Sequence, residues 1–208
     1  NIKTDSLGRR LRLAFEELGP IFVKFGQVIS TRRDLISPDI ADELSKLQDQ
    51  VKPIPSKKII DQLTKIYGLP LKKVFLKFDS NPLAAASVAQ VHGAVLKDGT
   101  EVIVKILRPD IQKFIKQDIE MLYFLANLAN KYWPRSKNLK PLEIITEYEK
   151  TVMNELNLMR EGANTAQLKR NFEGSNLLYV PNIFWDYCRK EVLVQERIYG
   201  IPIRDMKA

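Results

Sequence analysis

Apolar residues recur at helical spacing from the start of the chain. Leu7, Leu11, Phe15 and Leu18 in "DSLGRRLRLAFEEL" fall three or four apart and predict an amphipathic helix. Gly19-Pro20 ends it, and Pro20 suits the first turn of a second helix, "PIFVKFGQVISTRRDLI". That segment is apolar on more than one side, so it is expected between packed layers rather than on a surface. Ser37-Pro38 predicts an N-cap and first-turn proline for "DIADELSKLQDQ", and Lys52 to Pro55 a loop. Ser56 is the expected cap of "KKIIDQLTKIY", which Gly68 closes. The first third is therefore predicted helical, with short loops and no repeat.

The period then changes. "LKKVFLKFD" alternates, Asn81-Pro82 predicts a turn, and "SVAQVHGAVL" and "TEVIVKILR" predict strands. Asp98-Gly99 between them predicts a type I′ hairpin, which needs positive φ at both central residues. After Pro109 the helical period returns in "DIQKFIKQDIEMLYFLANLANKYW" and in one long helix from Pro141 to about Phe172. A last pair of short strands is expected in "YVPNIFWDY" and "EVLVQERIYG". The order predicts an α+β fold: a helical N-terminal extension, a small antiparallel sheet, and helices inserted after the third strand.

Composition narrows the function classes only a little. The 208 residues are 45% hydrophobic and 28% charged, ordinary for a globular chain with a sizeable core. Lys and Arg number 33 against 25 Asp and Glu, a net charge of +8. The basic residues are interspersed with acidic ones, with no basic run, zinc spacing or aromatic-glycine RNA-binding pattern, which argues against a nucleic-acid binder. The single Cys188 excludes an intramolecular disulfide and suits a reducing compartment. The most apolar stretch, Ile119 to Ala129, is interrupted by Glu120 and Asn127 and falls short of the roughly 20 residues of a spanning helix. With Asn1 at its start and "RIYGIPIRDMKA" at its end, the chain reads as a piece of a longer protein.

The candidate chemistry centres on Lys105, set between Val104 and Ile106 in the best strand-forming run of the chain. Strand alternation puts Val102 and Val104 on one face and Ile103 and Lys105 on the other. A lysine there reads either as a snorkelling residue of an edge strand or as a phosphate-holding group. Upstream lies a run of small residues, Ala84, Ala85, Ala86 and Ser87, which reads either as a phosphate-approaching loop or as a turn packed under a helix. Downstream, at 100° per residue, Ile145, Tyr148, Val152, Leu156, Met159, Ala163 and Ala166 form one apolar stripe. Glu161 lies opposite it beside Leu158 and Leu168, either solvated or, if a second face is buried, within reach of Lys105. Glu155 sits on the stripe's shoulder and Asn157 nearer to Glu161. His92, the only histidine, lacks His or Cys partners for a metal and is expected to be structural.

Four segments in order, "KFGQ" (24–27), "AAASVAQVH" (84–92), "VIVK" (102–105) and "ELNLMRE" (155–161), closely resemble the UbiB/ADCK family of atypical protein-kinase-like proteins, and "LGPIFVKFGQ" and "ERIYGIP" resemble its bacterial ubiquinone-biosynthesis branch. The resemblance covers essentially the whole chain. It implies a kinase-like N-terminal lobe over residues 71–200, preceded by a helical extension over 1–70 and followed at 201–208 by the start of a second lobe. It further implies regulatory roles for Lys24 and Gln27, on a Lys-x-Gly-Gln helix that packs over the nucleotide cleft and occludes the usual protein-substrate site, and for the Glu-x-Asp element that contacts this helix, here Glu155 and Asn157. Ala84, Ala85, Ala86, Ser87, Val88, Ala89 and Gln90 would replace the glycine-rich phosphate loop of ordinary kinases. Lys105 would hold the ATP phosphates with Glu161 as its partner, and Glu196 to Ile198 would form the adenine-binding hinge.

By resemblance, the full protein would be an ATP-binding kinase or ATPase supporting ubiquinone (coenzyme Q) biosynthesis. The alternative is a nucleotide-gated, pseudokinase-like scaffold for lipid precursors or other biosynthetic proteins. Either would work at the cytoplasmic face of the bacterial inner membrane, held there by a C-terminal segment. ATP is the implied cofactor, with Mg²⁺ ligands expected outside these residues, since no His-Arg-Asp-like or Asp-Phe-Gly stretch occurs in the sequence. The 208 residues alone are therefore expected to show no phosphotransfer. Asn157 departs from the family's acidic residue and carries no charge. A partly buried Lys24–Glu155 pair is expected; removing one partner of a buried pair costs about 3–5 kcal/mol.

Overall fold

The computed structural model describes residues 5–48, 51–132 and 140–201. In chain order the elements are α1 (Leu7–Leu18), α2 (Pro20–Ser30), α3 (Pro38–Leu44), α4 (Ser56–Tyr67), α5 (Leu71–Val74), β1 (Lys77–Ala85), β2 (Ala89–Val95), β3 (Glu101–Leu107), α6 (Ile111–Tyr132), α7 (Pro141–Glu155), α8 (Leu158–Asn171), a 3-10 turn at Trp185–Tyr187 and β4 (Val192–Glu196). They group into two compact units. One holds the described parts of residues 1–52, 85–88 and 110–155, the other those of 53–84, 89–109 and 156–208.

The first unit is helical. Ser6 caps α1, its Oγ accepting from the Arg9 amide at 3.3 Å. α2 buries Ile21, Phe22, Val23, Phe25 and Gly26, more than one face, as its all-round apolar pattern predicts. Val23, Leu44 and Leu47 form a core against which Leu11, Phe15, Ile29, Ile36 and Ile40 pack. The Tyr148 hydroxyl on α7 donates to the Ile21 carbonyl at 2.6 Å, and its ring meets Phe25 edge-on at 5.0 Å. Two predicted boundaries shift. α2 ends at Ser30, with the Thr31 hydroxyl turned back onto the Val28 carbonyl. α3 ends at Leu44, and the Ser37 hydroxyl donates to Asp39 Oδ1 at 2.5 Å rather than capping the helix.

The second unit is a four-stranded sheet in the order β1-β2-β3-β4, with α4, α5 and α8. β2 pairs antiparallel with β3, and β3 with β4, in a register that sets Val91 opposite Lys105 and Lys105 opposite Leu193. Val102, Val104 and Ile106 are fully buried on one face of β3, leaving Ile103 and Lys105 half-buried on the other. β2 carries two buried polar residues, Gln90 and His92. The Gln90 amide nitrogen lies 3.0 Å from His92 Nε2, and His92 Nδ1 lies 2.9 Å from the Asp79 carbonyl. Those partners fix the tautomer: Nδ1 carries the proton and donates to the carbonyl, while Nε2 accepts from the amide. Gln90 Oε1 in turn accepts from the Ile54 amide at 2.8 Å.

Several local expectations are corrected. The Asp98-Gly99 hairpin forms, but not as a type I′ turn. Only Gly99 has positive φ, at 90°, and the Gly99 amide donates to the Leu96 carbonyl while the Leu96 amide donates to the Thr100 carbonyl. This is a three-residue loop in which a type I turn precedes a left-handed glycine. Residues 71–74 form a helical turn instead of a strand, and β1 runs through Asn81-Pro82. An edge strand accommodates Pro82, which has no N–H to give to the sheet. Ser56 lies inside α4, whose N-cap is Pro55, and the Ser56 hydroxyl donates to the Ser80 carbonyl. The expected strand at 179–187 reduces to a bridge between Ile183 and Gln195 followed by the 3-10 turn.

The largest correction is the long helix, which breaks at Leu156-Asn157 into α7 and α8. Asn157 has φ −122° and ψ 90°, and the Leu158 amide donates outward to the Lys190 carbonyl at 2.9 Å. Asn is a weak helix former, and a tertiary backbone partner outweighs one more helical bond. Of the residues expected to begin a second lobe, only Ile201 lies among the described residues; Trp133 at the end of the helix predicted after Pro109 lies outside them.

Candidate functional site

Two ion pairs organise the candidate residues, one in each unit. In the sheet unit, the Lys105 ammonium donates to both oxygens of Glu161, at 2.7 Å each. The lysine side chain is 30% exposed and the glutamate 43%, so the pair is held on the protein yet open to a ligand. Strand alternation puts Lys105 on the face opposite the buried valines. α8 delivers Glu161 because its buried residues are Leu158 and Gly162, the face beside the carboxylate. The single stripe expected along 145–166 holds only through α7, where Ile145, Tyr148 and Val152 are buried. In α8, Ala163 is exposed and Met159 and Ala166 are half-buried, because the break at Leu156-Asn157 resets the helical phase.

In the helical unit, the Lys24 ammonium donates to Glu155 Oε2, in a pair whose side chains are 21% and 36% exposed. Gln27 takes another partner than expected. Its amide nitrogen donates to the Leu47 carbonyl at 3.0 Å rather than to Glu155 or Asn157. Gly26 between them is a packing requirement, since a Cβ there would fall 2.4 Å from Leu47 Cδ1 and 2.7 Å from Phe15 Cδ2. Asn157 is the N-cap residue of α8, but its side chain makes no capping bond. Its Oδ1 is buried with no hydrogen-bond partner among the described residues.

The small-residue run is less of a loop than expected. Ala84 and Ala85 complete β1, Ala89 and Gln90 open β2, and only Ala86, Ser87 and Val88 connect them. None of the seven has positive φ, so the alanines sit in ordinary backbone. Ser87, Val88, Ala89 and Gln90 are buried, and the Gln90 side chain is committed to Ile54 and His92. At the predicted hinge, the Glu196 carboxylate accepts from the Tyr179 hydroxyl at 2.6 Å and from the Asn182 backbone and side-chain amides at 3.0 Å each. The Tyr179 hydrogen bond, ahead of the Asn182 backbone bond, holds that carboxyl below its ordinary pKa. Ile198 is half exposed. Sequence reasoning did not find Gly26, the Gln90–His92 pair or the Tyr179 and Asn182 partners of Glu196. None carries a local signal, because each role depends on a neighbour distant in sequence.

Chemically, Lys105 is an ammonium with two of its three donors on a carboxylate, leaving one for an anionic oxygen. Val91 and Ile103, half-buried on the same face, offer an apolar surface beside it. Together they fit a ligand that carries an anionic oxygen beside an apolar part. For a divalent ion the fit is poor: among the described residues no group of three or more His, Cys, Asp or Glu could hold one. No helix among them is long and apolar enough to cross a membrane.

A four-stranded sheet whose third strand presents a lysine to a glutamate on the packed helix defines the N-terminal lobe of a protein-kinase-like fold. The chain belongs to the ABC1 atypical kinase-like family, whose model matches residues 46–208. It is similar to "Probable protein kinase UbiB" of Pseudomonas paraeruginosa, 53% identical over 200 residues covering 96% of this chain and 38% of that protein. The protein of the same name in Marinobacter nauticus is 54% identical over 203 residues, covering 98% of this chain and 37% of its own length. The chain thus spans well under half the length of these relatives. Among solved structures, the Rv3197–erythromycin complex from Mycobacterium tuberculosis shares the fold, with a TM-score of 0.62 at 23% identity over 88% of this chain and 42% of that one.

Proposed function

We propose that this chain forms the phosphate-holding lobe of an ATP-binding atypical kinase or ATPase that supports ubiquinone biosynthesis at the cytoplasmic face of the bacterial inner membrane. The observation that carries the reading is the two-pronged Lys105–Glu161 pair. A carboxylate that grips the ammonium from one side aims its remaining donor, and a fixed donor is what a phosphate oxygen needs. The names of the relatives, which share more than half of these residues, support the kinase-like class. Mg²⁺ would supply further positive charge to the phosphates, from ligands that the described residues do not offer. Lys105 contributes a positive charge but cannot ligate the ion, so its part is confined to holding and orienting the phosphates.

A second reading, a nucleotide-gated scaffold for lipid precursors or other biosynthetic proteins, draws on Asn157. Its uncharged, unpartnered carbonyl stands where the family's pattern has a carboxylate. Calorimetric titration with ATP, with and without Mg²⁺, tests the shared first step. The expected result is weak binding that falls about tenfold or more in Lys105→Ala, the loss of one charge-assisted hydrogen bond. Equal affinity in the folded variant would overturn both readings.

A further inference from the structure

Lys105 and Leu193 are directly opposed across β3 and β4, so their side chains leave the sheet on the same face. α8 packs on β4, and Gly162, next to Glu161, is buried in that contact. A Cβ built on Gly162 would lie 3.0 Å from Leu193 Cδ1 and 3.3 Å from two carbons of the Trp185 ring. Ordinary carbon contacts begin at about 3.5 Å. The helix therefore rides at a height over the sheet where any side chain at this position must push Leu193 or Trp185 aside by a few tenths of an ångström or more. Conformation does not demand the glycine, since Gly162 lies within a helix and is not among the residues with positive φ. Glycine is also among the poorest residues for a helix interior. One turn earlier, the Leu158 amide is tied to the Lys190 carbonyl, so α8 is anchored at its start and its approach at Glu161 is set by the Gly162 seat.

We propose that Gly162 is the positioning residue of the Lys105–Glu161 pair: by letting α8 settle on Leu193 and Trp185, it brings the carboxylate within hydrogen-bond distance of the ammonium. The proposal rests on the reading that this pair holds a nucleotide phosphate, but its first readout does not. A side chain at 162 lifts α8 from β4, and Glu161 retreats from Lys105 by a similar amount. Shortening Leu193 returns the space and with it the pair.

The test is carbon NMR of the 208-residue chain labelled at lysine Cε, with the Lys105 signal assigned by its loss in Lys105→Arg. Glu161→Gln supplies the signal position of the broken pair. Gly162→Val is expected to move the Lys105 signal to that position and Gly162→Ala part of the way. Adding Leu193→Ala to either is expected to return it toward wild type, which general destabilisation would not do. If the valine variant does not fold, the alanine variant and its Leu193→Ala double decide. A wild-type Lys105 signal in a folded Gly162 variant, or a displaced signal that Leu193→Ala does not restore, overturns the proposal. ATP affinity is read on the same samples and is expected to weaken about tenfold where the pair is lost. A displaced signal with unchanged ATP affinity upholds the positioning role and overturns the nucleotide reading instead.

Discussion

Lys24 on α2 and Glu155, the last residue of α7, form a hydrogen-bonded ion pair between residues 131 apart in sequence. Both side chains keep some access to water, at 21% and 36%. The pair therefore falls between a surface bridge, worth about 0–1 kcal/mol, and a buried one, whose rupture costs about 3–5 kcal/mol. Glu155→Ala is expected to destabilise by about 1–2 kcal/mol, below the figure for a fully buried pair. Glu147→Ala, whose carboxylate is 73% exposed in its pair with Lys150, is the control and should change stability by less than about 0.5 kcal/mol. Urea midpoints of the two variants, measured side by side, check the difference.

Gly26→Ala should be the most damaging change in the Lys-x-Gly-Gln segment. The added methyl meets Leu47 and Phe15 at distances no side chain tolerates. Both neighbours belong to the packed helical core, so the cost is expected at about 1–3 kcal/mol, as for overpacking generally. A thermal melt settles it, and a variant as stable as wild type would show that α1 and α2 have slack the packing does not suggest.

Burial pushes the His92 imidazole below its ordinary pKa of 6.5, against a smaller upward pull from its bond to the Asp79 carbonyl. The folded state thus resists a proton that the unfolded chain accepts. Below pH 6.5 the unfolded state binds more protons, so stability is full above that value and falls as the pH drops toward the lowered folded pKa. His92→Asn, which can keep the bond to Asp79 but does not titrate, should flatten that part of the stability profile. Urea unfolding between pH 7.5 and 5 is the measurement.

Asn157 stands at an N-cap without capping, and its Oδ1 is buried and unpartnered. An ordinary cap loses about 1 kcal/mol on change to alanine. Asn157→Ala should lose less than about half of that, because no side-chain bond is broken and an unsatisfied carbonyl is removed. A full-sized loss in a melting experiment would mean that the amide finds a partner in solution.

The candidate site was legible in sequence where one residue's chemistry clashed with its local pattern. Lys105 is a charge in a strand of valine and isoleucine, and Glu161 an acid beside leucines on a helix, so their pairing could be expected before any geometry. The pattern predicts a longer helix around Glu161 because no proline follows Pro141 before Phe172 and the one glycine, Gly162, lies away from the break. The break at Asn157 comes from the carbonyl of Lys190, more than 30 residues later. The strand expected around Trp185 failed for a similar reason: "YVPNIFWDY" has strand-like composition, but only Ile183 finds a bridging partner, Gln195. The hairpin was right and its turn type wrong, since Asp98 ties its carboxylate to the Thr100 amide at 2.9 Å and leaves positive φ to Gly99 alone.

Gln90 and His92, two polar side chains on the buried face of β2, also act as an indexing pin for the sheet. Each has a partner outside β2 only in the observed alignment: Gln90 with Ile54 and His92 with Asp79. Sliding β2 by two residues would keep apolar and polar faces in place, so hydrophobic burial alone would scarcely oppose the error. The slide would strip those partners away, and a buried polar group left without one costs about 1–3 kcal/mol. Val91 lies between these two residues and opposite Lys105, so the strand that the pin holds in step is the one that stands beside the lysine.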